Sequence, residues 1–354
     1  MFRTEARDGA RPPTQVDFFC PPPRPRLFFS ARPPTQVVFF GGRKLAGPVR
    51  RQPDMTQPRQ VLPGSTKMVT RRCSERRFFL RPSAVVNQAF RYCLGYAAEQ
   101  TGVLLHAWTA MSNHWHAVVT DVEGRLPEFM AHVNKLVGKC VNADLGRWES
   151  LWANEHYSAV NLETEEDVLD KLLYVLANPL DAALVKCWSQ WPGALSGPRA
   201  CAAPLEAIRR PEVFFNPVGQ MPESVGLEAT VPPCFEHLGP RRFASKLAAA
   251  LKVREAGLRE GHRARGRRIL GRKGVLAQDP FACPKDFEPR RGLNPRIACR
   301  DKWRRIEALG QLKEFLDAYR EAWLAFRRGV KRVVFPAGTY WMCRHAGLPS
   351  VPPG

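Results

Sequence analysis

The sequence predicts an α+β sandwich built on an antiparallel sheet, and three observations carry the prediction. Hydrophobic periodicity over residues 68–179 runs strand, helix, two strands, helix, strand, helix. The tight turn Met111-Ser112-Asn113 joins the two adjacent strands. With 354 residues, 44% hydrophobic and 10% aromatic, the chain has enough apolar material to bury a core without staples.

The elements follow in order. Met68 to Arg72 is a first strand, and Ser83 to Gln100 a helix with Val86, Ala89, Phe90, Cys93 and Leu94 on one side, stopped by Gly102. Leu104 to Ala110 and His114 to Thr120 are the paired strands, and Asp121 to Gly124 close the second. Pro127 to Leu145 returns to helical spacing. A Trp-rich loop and short strand follow (Trp148, Trp152, Tyr157, Val160), then a helix from Thr164 expected to end at Asn178-Pro179. Residues 301–329 form an amphipathic helix whose stripe, from Trp303, Ile306 and Leu309 to Trp323 and Phe326, is expected in the core.

Composition points to the partner. Lys+Arg of 54 against Asp+Glu of 33 leaves a net charge of +21, which favours polyanions and repels cationic substrates. Residues 241–273 alone carry twelve Lys+Arg against two Glu, a candidate phosphate-contacting surface that includes Arg263, Arg265, Arg267, Arg268, Arg272 and Lys273. No run of about 18 apolar residues suggests a membrane span, and the N-terminus lacks a secretory signal pattern, so a soluble intracellular protein is expected. The ten cysteines, with no CxxC pair, read as reduced thiols.

Residues 1–60 hold eleven prolines, eleven Lys+Arg and only four Asp+Glu without periodicity, and are expected to be a disordered leader ahead of a true start at Met55 or Met68. Within it Ala10-Arg11-Pro12-Pro13-Thr14-Gln15-Val16 recurs at residues 31–37. The expected organisation is this leader, a folded domain over 65–195, a linker over 196–240 and a basic, mainly helical accessory region over 241–354.

Two features could carry chemistry. In His114-Trp115-His116 the alternation of a strand puts both imidazoles on one face, as half of a metal site or as ordinary sheet residues. On the helix after Thr164, a step of about 100° per residue gathers Asp167, Asp170, Lys171, Tyr174 and Asn178 on one side, opposite Val168, Leu172, Val175 and Leu176. A tyrosine chosen for packing would sit among the leucines, whereas Tyr174 stands on the polar stripe with Asn178 one turn on. A phenol of pKa about 10 is a weak nucleophile at neutral pH and needs a cation to stabilise charge on a phosphoryl group it attacks. Together these residues suggest metal-assisted phosphoryl transfer by Tyr174, the alternative being a surface tyrosine hydrogen-bonded to a neighbour.

The same residues resemble the single-tyrosine HUH transposases of bacterial insertion sequences, in particular the REP-associated tyrosine transposase branch. Met111-Ser112-Asn113-His114-Trp115-His116 is similar to that family's Met-Pro-Asn-His-x-His strand, with serine for proline. Tyr174-Val175-Leu176-Ala177-Asn178-Pro179-Leu180 is similar to its Tyr-Ile-x-x-Asn-Pro-Val segment, and Leu151-Trp152 to its Leu-Trp element. The chain departs from the pattern at Asn154-Glu155-His156, Asp181 and Ala182-Ala183. The resemblance implies a ferredoxin-like sheet, Tyr174 as nucleophile, His114, His116 and Asn178 as ligands of Mg²⁺ or Mn²⁺, and a homodimer acting on single-stranded DNA with hairpin ends in the bacterial nucleoid. Imidazole ligands by themselves favour Zn²⁺ or Mn²⁺ over Mg²⁺. The implied reaction leaves a 5′-phosphotyrosine and a free 3′-hydroxyl.

Two other readings remain at this point: a nucleic-acid-binding protein of the same fold that does not cleave, using Trp148, Trp152 and residues 241–273, and a hydrolase working through water. If the basic segment touches phosphates, neutralising Arg263, Arg265, Arg267 and Arg268 together lowers the salt dependence of single-strand binding by about 0.7 in log–log slope for each phosphate that is no longer paired. An unchanged slope removes the segment from the binding surface.

Overall fold

The computed structural model describes residues 57–285 and 295–352, which belong to one unit. Strand β1 (Ser65–Arg72) is followed by α1 (Ala84–Thr101), β2 (Leu104–Ala110), β3 (His114–Asp121), α2 (Leu126–Asp144), β4 (Ser158–Leu162) and α3 (Glu165–Asp181). The sheet order is β2-β3-β1-β4, antiparallel throughout, and the two-residue β7 (Ile297–Ala298) adds to β4 in parallel. The fold is the expected α+β one. The leader read over 1–60, its repeat and Cys20 lie outside the described residues except at 57–60.

Start signals account for the helices. Ser83 Oγ accepts from Val86 N at 3.0 Å to cap α1, and Thr164 Oγ1 accepts from Asp167 N at 3.1 Å to cap α3. Asp121, at the end of β3, takes the first amides of α2 with both oxygens: Arg125 N on Oδ1 at 2.7 Å and Leu126 N on Oδ2 at 3.0 Å.

Two apolar layers sit on the two sheet faces. Val69, Trp115, Ala117 and Val119 pack into the layer beneath α1 and α2, where Phe90 meets Trp115 edge-on at 5.7 Å. Ala107, Val118 and Met68 face the other way, against Leu172, Val175 and Leu176 of α3. A strand buried on both sides cannot shift register by one residue without exchanging both layers.

Three expectations are corrected here. Residues 196–240 are no linker. The hairpin of β5 (Glu206–Arg209) and β6 (Ser224–Leu227) lies on α1 and sends Ile208, Phe215, Val225 and Leu227 into the main core. The region after 240 is not set apart either. Helix α4 (Gly239–Ala264) packs along α3 through Phe243, Leu247 and Leu251, the short α5 (Gly271–Leu276) buries Val275, and β7 extends the sheet. The stripe of α6 (Lys302–Arg327) is largely outside the core. Trp303 is 73% exposed and Ile306 50%, whereas Phe315 and Tyr319 are buried. Steps of three residues turn about −60° each, so Trp303, Ile306, Leu309 and Leu312 fan around half the helix and cannot share one buried face.

The described cysteines are free. No helix among the described residues is long and apolar enough to cross a membrane.

The seat of the hairpin depends on Gly95, where an added Cβ would lie 2.5 Å from Gly226 O. Glu99 Oε1 fastens the same strand by accepting from Gly226 N at 2.5 Å. Gly95→Ala is therefore expected to lower stability by about 1–3 kcal/mol despite its better helix propensity. Urea unfolding of the two proteins measures this, and equal stability would show that β6 is not tightly seated.

Candidate active site

The pleat of β3 sends His114 and His116 to the face covered by α3, alternating with Trp115 and Ala117 on the other. Their rings lie 4.6 Å apart between centroids, and the His116 ring meets Tyr174 of α3 at 5.3 Å, near-perpendicular. Asn178 lies one turn beyond Tyr174 on the same helix and is only 6% exposed. The helix and the strand thus bring together the four residues that sequence placed on separate elements.

Each imidazole is oriented by a neighbour. His114 Nδ1 lies 2.6 Å from Asn113 Oδ1, an arrangement in which the ring N–H donates and Nε2 keeps its lone pair. His116 Nδ1 lies 2.6 Å from Thr70 Oγ1, its direct partner across the β1–β3 ladder. The His116 Nε2 is buried with no hydrogen-bond partner. Burial, His114 and Arg72 hold the His116 pKa well below the ordinary histidine value, so its ring is neutral at physiological pH. In the tautomer whose Nδ1–H donates to Thr70 Oγ1, this neutral imidazole presents a buried Nε2 lone pair, the chemistry a metal ligand requires.

Burial pushes the Tyr174 pKa above the usual tyrosine value, and the charge of Asp181 pushes the same way. The hydrogen bond from Asn178 and the charges of Arg72 and Arg254 pull it down. Tyr174 therefore stands as a protonated phenol at neutral pH, with cations nearby that favour developing negative charge.

Helix α3 does not stop at Asn178-Pro179 as expected but continues to Asp181 with Pro179 inside it. Proline at 179 supplies no N–H to the Val175 carbonyl, which would otherwise be left orphaned. Thr109 Oγ1, buried on β2, donates to Val175 O at 2.7 Å and fills that place. One hydroxyl thus keeps Tyr174 and Asn178 on a single helical stretch.

The remaining sequence-predicted residues are placed elsewhere. Arg263, Arg265, Arg267, Arg268, Arg272 and Lys273 are all exposed. Arg267 reaches the end of α3, donating to Asp181 O and Ala182 O at 3.4 Å each, and Arg263 pairs with Glu260. Trp148 is 91% exposed and free to stack, but Trp152 is buried and donates to Asn134 O at 2.8 Å, which corrects its reading as a stacking residue. His156 is exposed on its loop. His106 is a satisfied core histidine, between Thr230 O at 3.0 Å and Thr120 Oγ1 at 2.8 Å. Among the described residues no group of three or more His, Cys, Asp or Glu side chains could hold a metal, so a cation at the His pair would need a donor of another type, such as the Asn178 amide.

Thr70, Asn113 and Thr109 were missed by sequence reasoning. Asn113 adjoins His114 and was in view, whereas Thr70 and Thr109 acquire their roles only through register and packing.

Solved structures that resemble the chain include two transposase-related ones. A REP-associated tyrosine transposase bound to a REP hairpin is 18% identical, with a TM-score of 0.33, over 48% of this chain and 97% of that one. A Deinococcus radiodurans R1 protein provisionally assigned as a transposase is 15% identical, with a TM-score of 0.26, over 33% of this chain and 93% of that one. No family model and no curated protein matches the sequence.

The Thr109–Val175 bond yields a double-mutant cycle. Thr109→Val, which removes the donor, is expected to cost about 1–3 kcal/mol. Pro179→Ala, which restores an N–H to the Val175 carbonyl, should erase much of that cost in the double variant. Additive losses in thermal unfolding would show that the hydroxyl does not serve this carbonyl.

Proposed function

We propose that the chain is a DNA strand transferase that cleaves single-stranded DNA through a covalent phosphotyrosine at Tyr174. The observation that carries the reading is the packing of Tyr174 against His116, whose buried Nε2 has no partner, with Asn178 one turn on along the same helix. A tyrosine placed there for packing alone would not need a neutral imidazole with an idle lone pair beside it.

In the proposed step Tyr174 Oη attacks a backbone phosphorus from the side opposite the 3′-oxygen. The P–Oη bond forms as the P–O3′ bond breaks, and the electron pair leaves on the 3′-oxygen, which takes up a proton while the phenol loses one to solvent. The product is a 5′-phosphotyrosine and a free 3′-hydroxyl, and the retained phosphoester bond energy permits rejoining without an external source. Asn178 holds the phenol on the phosphate side of α3, and the layer of Leu172, Val175 and Leu176 keeps that helix against the sheet.

His114, His116 and Asn178 would hold a divalent cation, Mn²⁺ or Mg²⁺, which when bound supplies positive charge to the phosphoryl oxygens. Two nitrogen donors and one amide suit Mn²⁺ better than Mg²⁺. Single-stranded DNA with hairpin ends as substrate, a homodimer as working form and action at the bacterial nucleoid belong to the same reading, and the net charge of +21 supports a polyanionic partner.

The test incubates the protein with labelled single-stranded DNA carrying the sequence that flanks its gene, with Mn²⁺ or Mg²⁺, and looks for protein-linked DNA on a denaturing gel. A metal-dependent adduct is expected, lost in Tyr174→Phe. Cleavage that survives in Tyr174→Phe would replace the reading with a water-using hydrolase, and binding without cleavage across hairpin-bearing ends would replace it with a non-cleaving DNA-binding protein.

A further inference from the structure

Cations from three parts of the chain gather at one carboxylate on the polar stripe of α3. Asp170, one turn before Tyr174, faces three basic groups: Arg300 Nη2 at 2.6 Å, Lys171 Nζ at 3.0 Å and Arg254 Nη1 at 3.7 Å. A single carboxylate leaves two of these charges uncompensated. The nearby Asp167 is occupied with the Arg300 amide at 2.9 Å and the Thr164 hydroxyl at 2.7 Å. The Arg254 contact is the longest of the three, and its Nε is buried without a hydrogen-bond partner. An ion pair serving only to dock α4 on α3 would be expected to close more tightly.

A further cation comes from the sheet: Arg72, the last residue of β1. It is paired across the ladder with His114, as Thr70 is with His116, so the pleat directs it to the same face as both imidazoles. Its side chain is exposed at the mouth of the site. The register thus sets one guanidinium beside the histidine pair, and the ion pair with Asp170 sets the other one turn of α3 from Tyr174, the first from the first strand of the sheet and the second from a helix that begins beyond residue 238.

We infer that Arg72 and Arg254 together clamp the phosphodiester that Tyr174 attacks, and that the C-terminal region thereby completes the active site. The inference rests on the transesterification reading and names the groups that hold its substrate. A guanidinium presents its donors as a planar fork matched to two phosphate oxygens, which an ammonium cannot do. Two such forks near the phenol hold the non-bridging oxygens and counter the charge that accumulates on them as the fifth bond to phosphorus forms. The Arg254 fork is in turn aimed by Asp170, one turn away on the helix that carries the nucleophile.

The test uses the full chain, the same flanking single-stranded DNA and Mn²⁺, with Arg72→Gln, Arg254→Gln, the two Arg→Lys variants and the exposed Arg320→Gln on α6 as control. At saturating DNA, each Gln variant is expected to lose about 100-fold in the single-turnover rate of adduct formation. Each Lys variant should recover part of that rate, and the control should keep the parent rate. Equilibrium binding should fall by about 0.7 in salt slope for each Gln variant and little for each Lys variant. Wild-type rates in both Gln variants overturn the clamp. If Arg254→Gln fails to fold, Arg254→Lys keeps the charge opposite Asp170 and removes the fork, so a wild-type rate in it overturns the assignment. If the parent protein forms no adduct at all, the reaction reading fails and the salt slopes decide: reduced slopes keep the two arginines as a phosphate site, and unchanged slopes remove it.

Discussion

The burial of β3 on both faces is the constraint on which the rest of the structure depends. Trp115, Ala117 and Val119 fix its register from below, and Val118 from above, so the two histidines in the same run of residues have no alternative position. The site inherits its geometry from apolar packing that has no chemistry of its own. This arrangement also explains why α3 must be amphipathic with a narrow polar stripe. Its leucines and valines close the second apolar layer, and only the strip facing the end of the sheet is available for Tyr174 and Asn178. Precision at the site thus comes from a core in which a one-residue slip would send the imidazoles into the layer beneath α1 and α2 and Trp115 to the face covered by α3.

Much of this was legible in the sequence because it is local. The strand limits around residues 104–121 and the helix starting at Thr164 follow from alternation, capping and a short turn, and the placement of Tyr174 on a polar stripe follows from counting residues. The end of α3 was not legible. The rule that a helix stops before proline assumes the freed carbonyl finds no other donor, and Thr109 supplies one from a strand about 65 residues earlier. Thr70 was hidden for a related reason. Its role against His116 depends on which residues the β1–β3 ladder sets opposite each other, and that register is decided by the whole sheet.

The segment after residue 195 defeats pattern reading for a different reason. Proline-containing irregular sequence is a fair sign of a linker when nothing packs on it, but Ile208, Phe215 and Val225 are spaced too widely to show periodicity and still reach the core. The stripe of α6 is the reverse case, a regular apolar spacing that drifts around the helix and leaves Trp303 and Ile306 in solvent. Periodicity reports which residues can share a face, and tertiary contact decides whether anything meets that face.

The joining of α4 to α3 has a consequence for the order of synthesis. Phe243, Leu247 and Leu251 complete the apolar layer on the outer side of α3, and they lie more than sixty residues after that helix. A ribosome translating this chain exposes the histidine strand and the tyrosine helix well before the helix that packs over them has emerged. Contacts of such long separation form late, because the loop between them must close first. A nascent chain therefore carries Tyr174 on an incompletely covered helix, and assembly of the finished site waits until most of the polypeptide has left the exit tunnel. The length of the chain acts as a timer on its own competence.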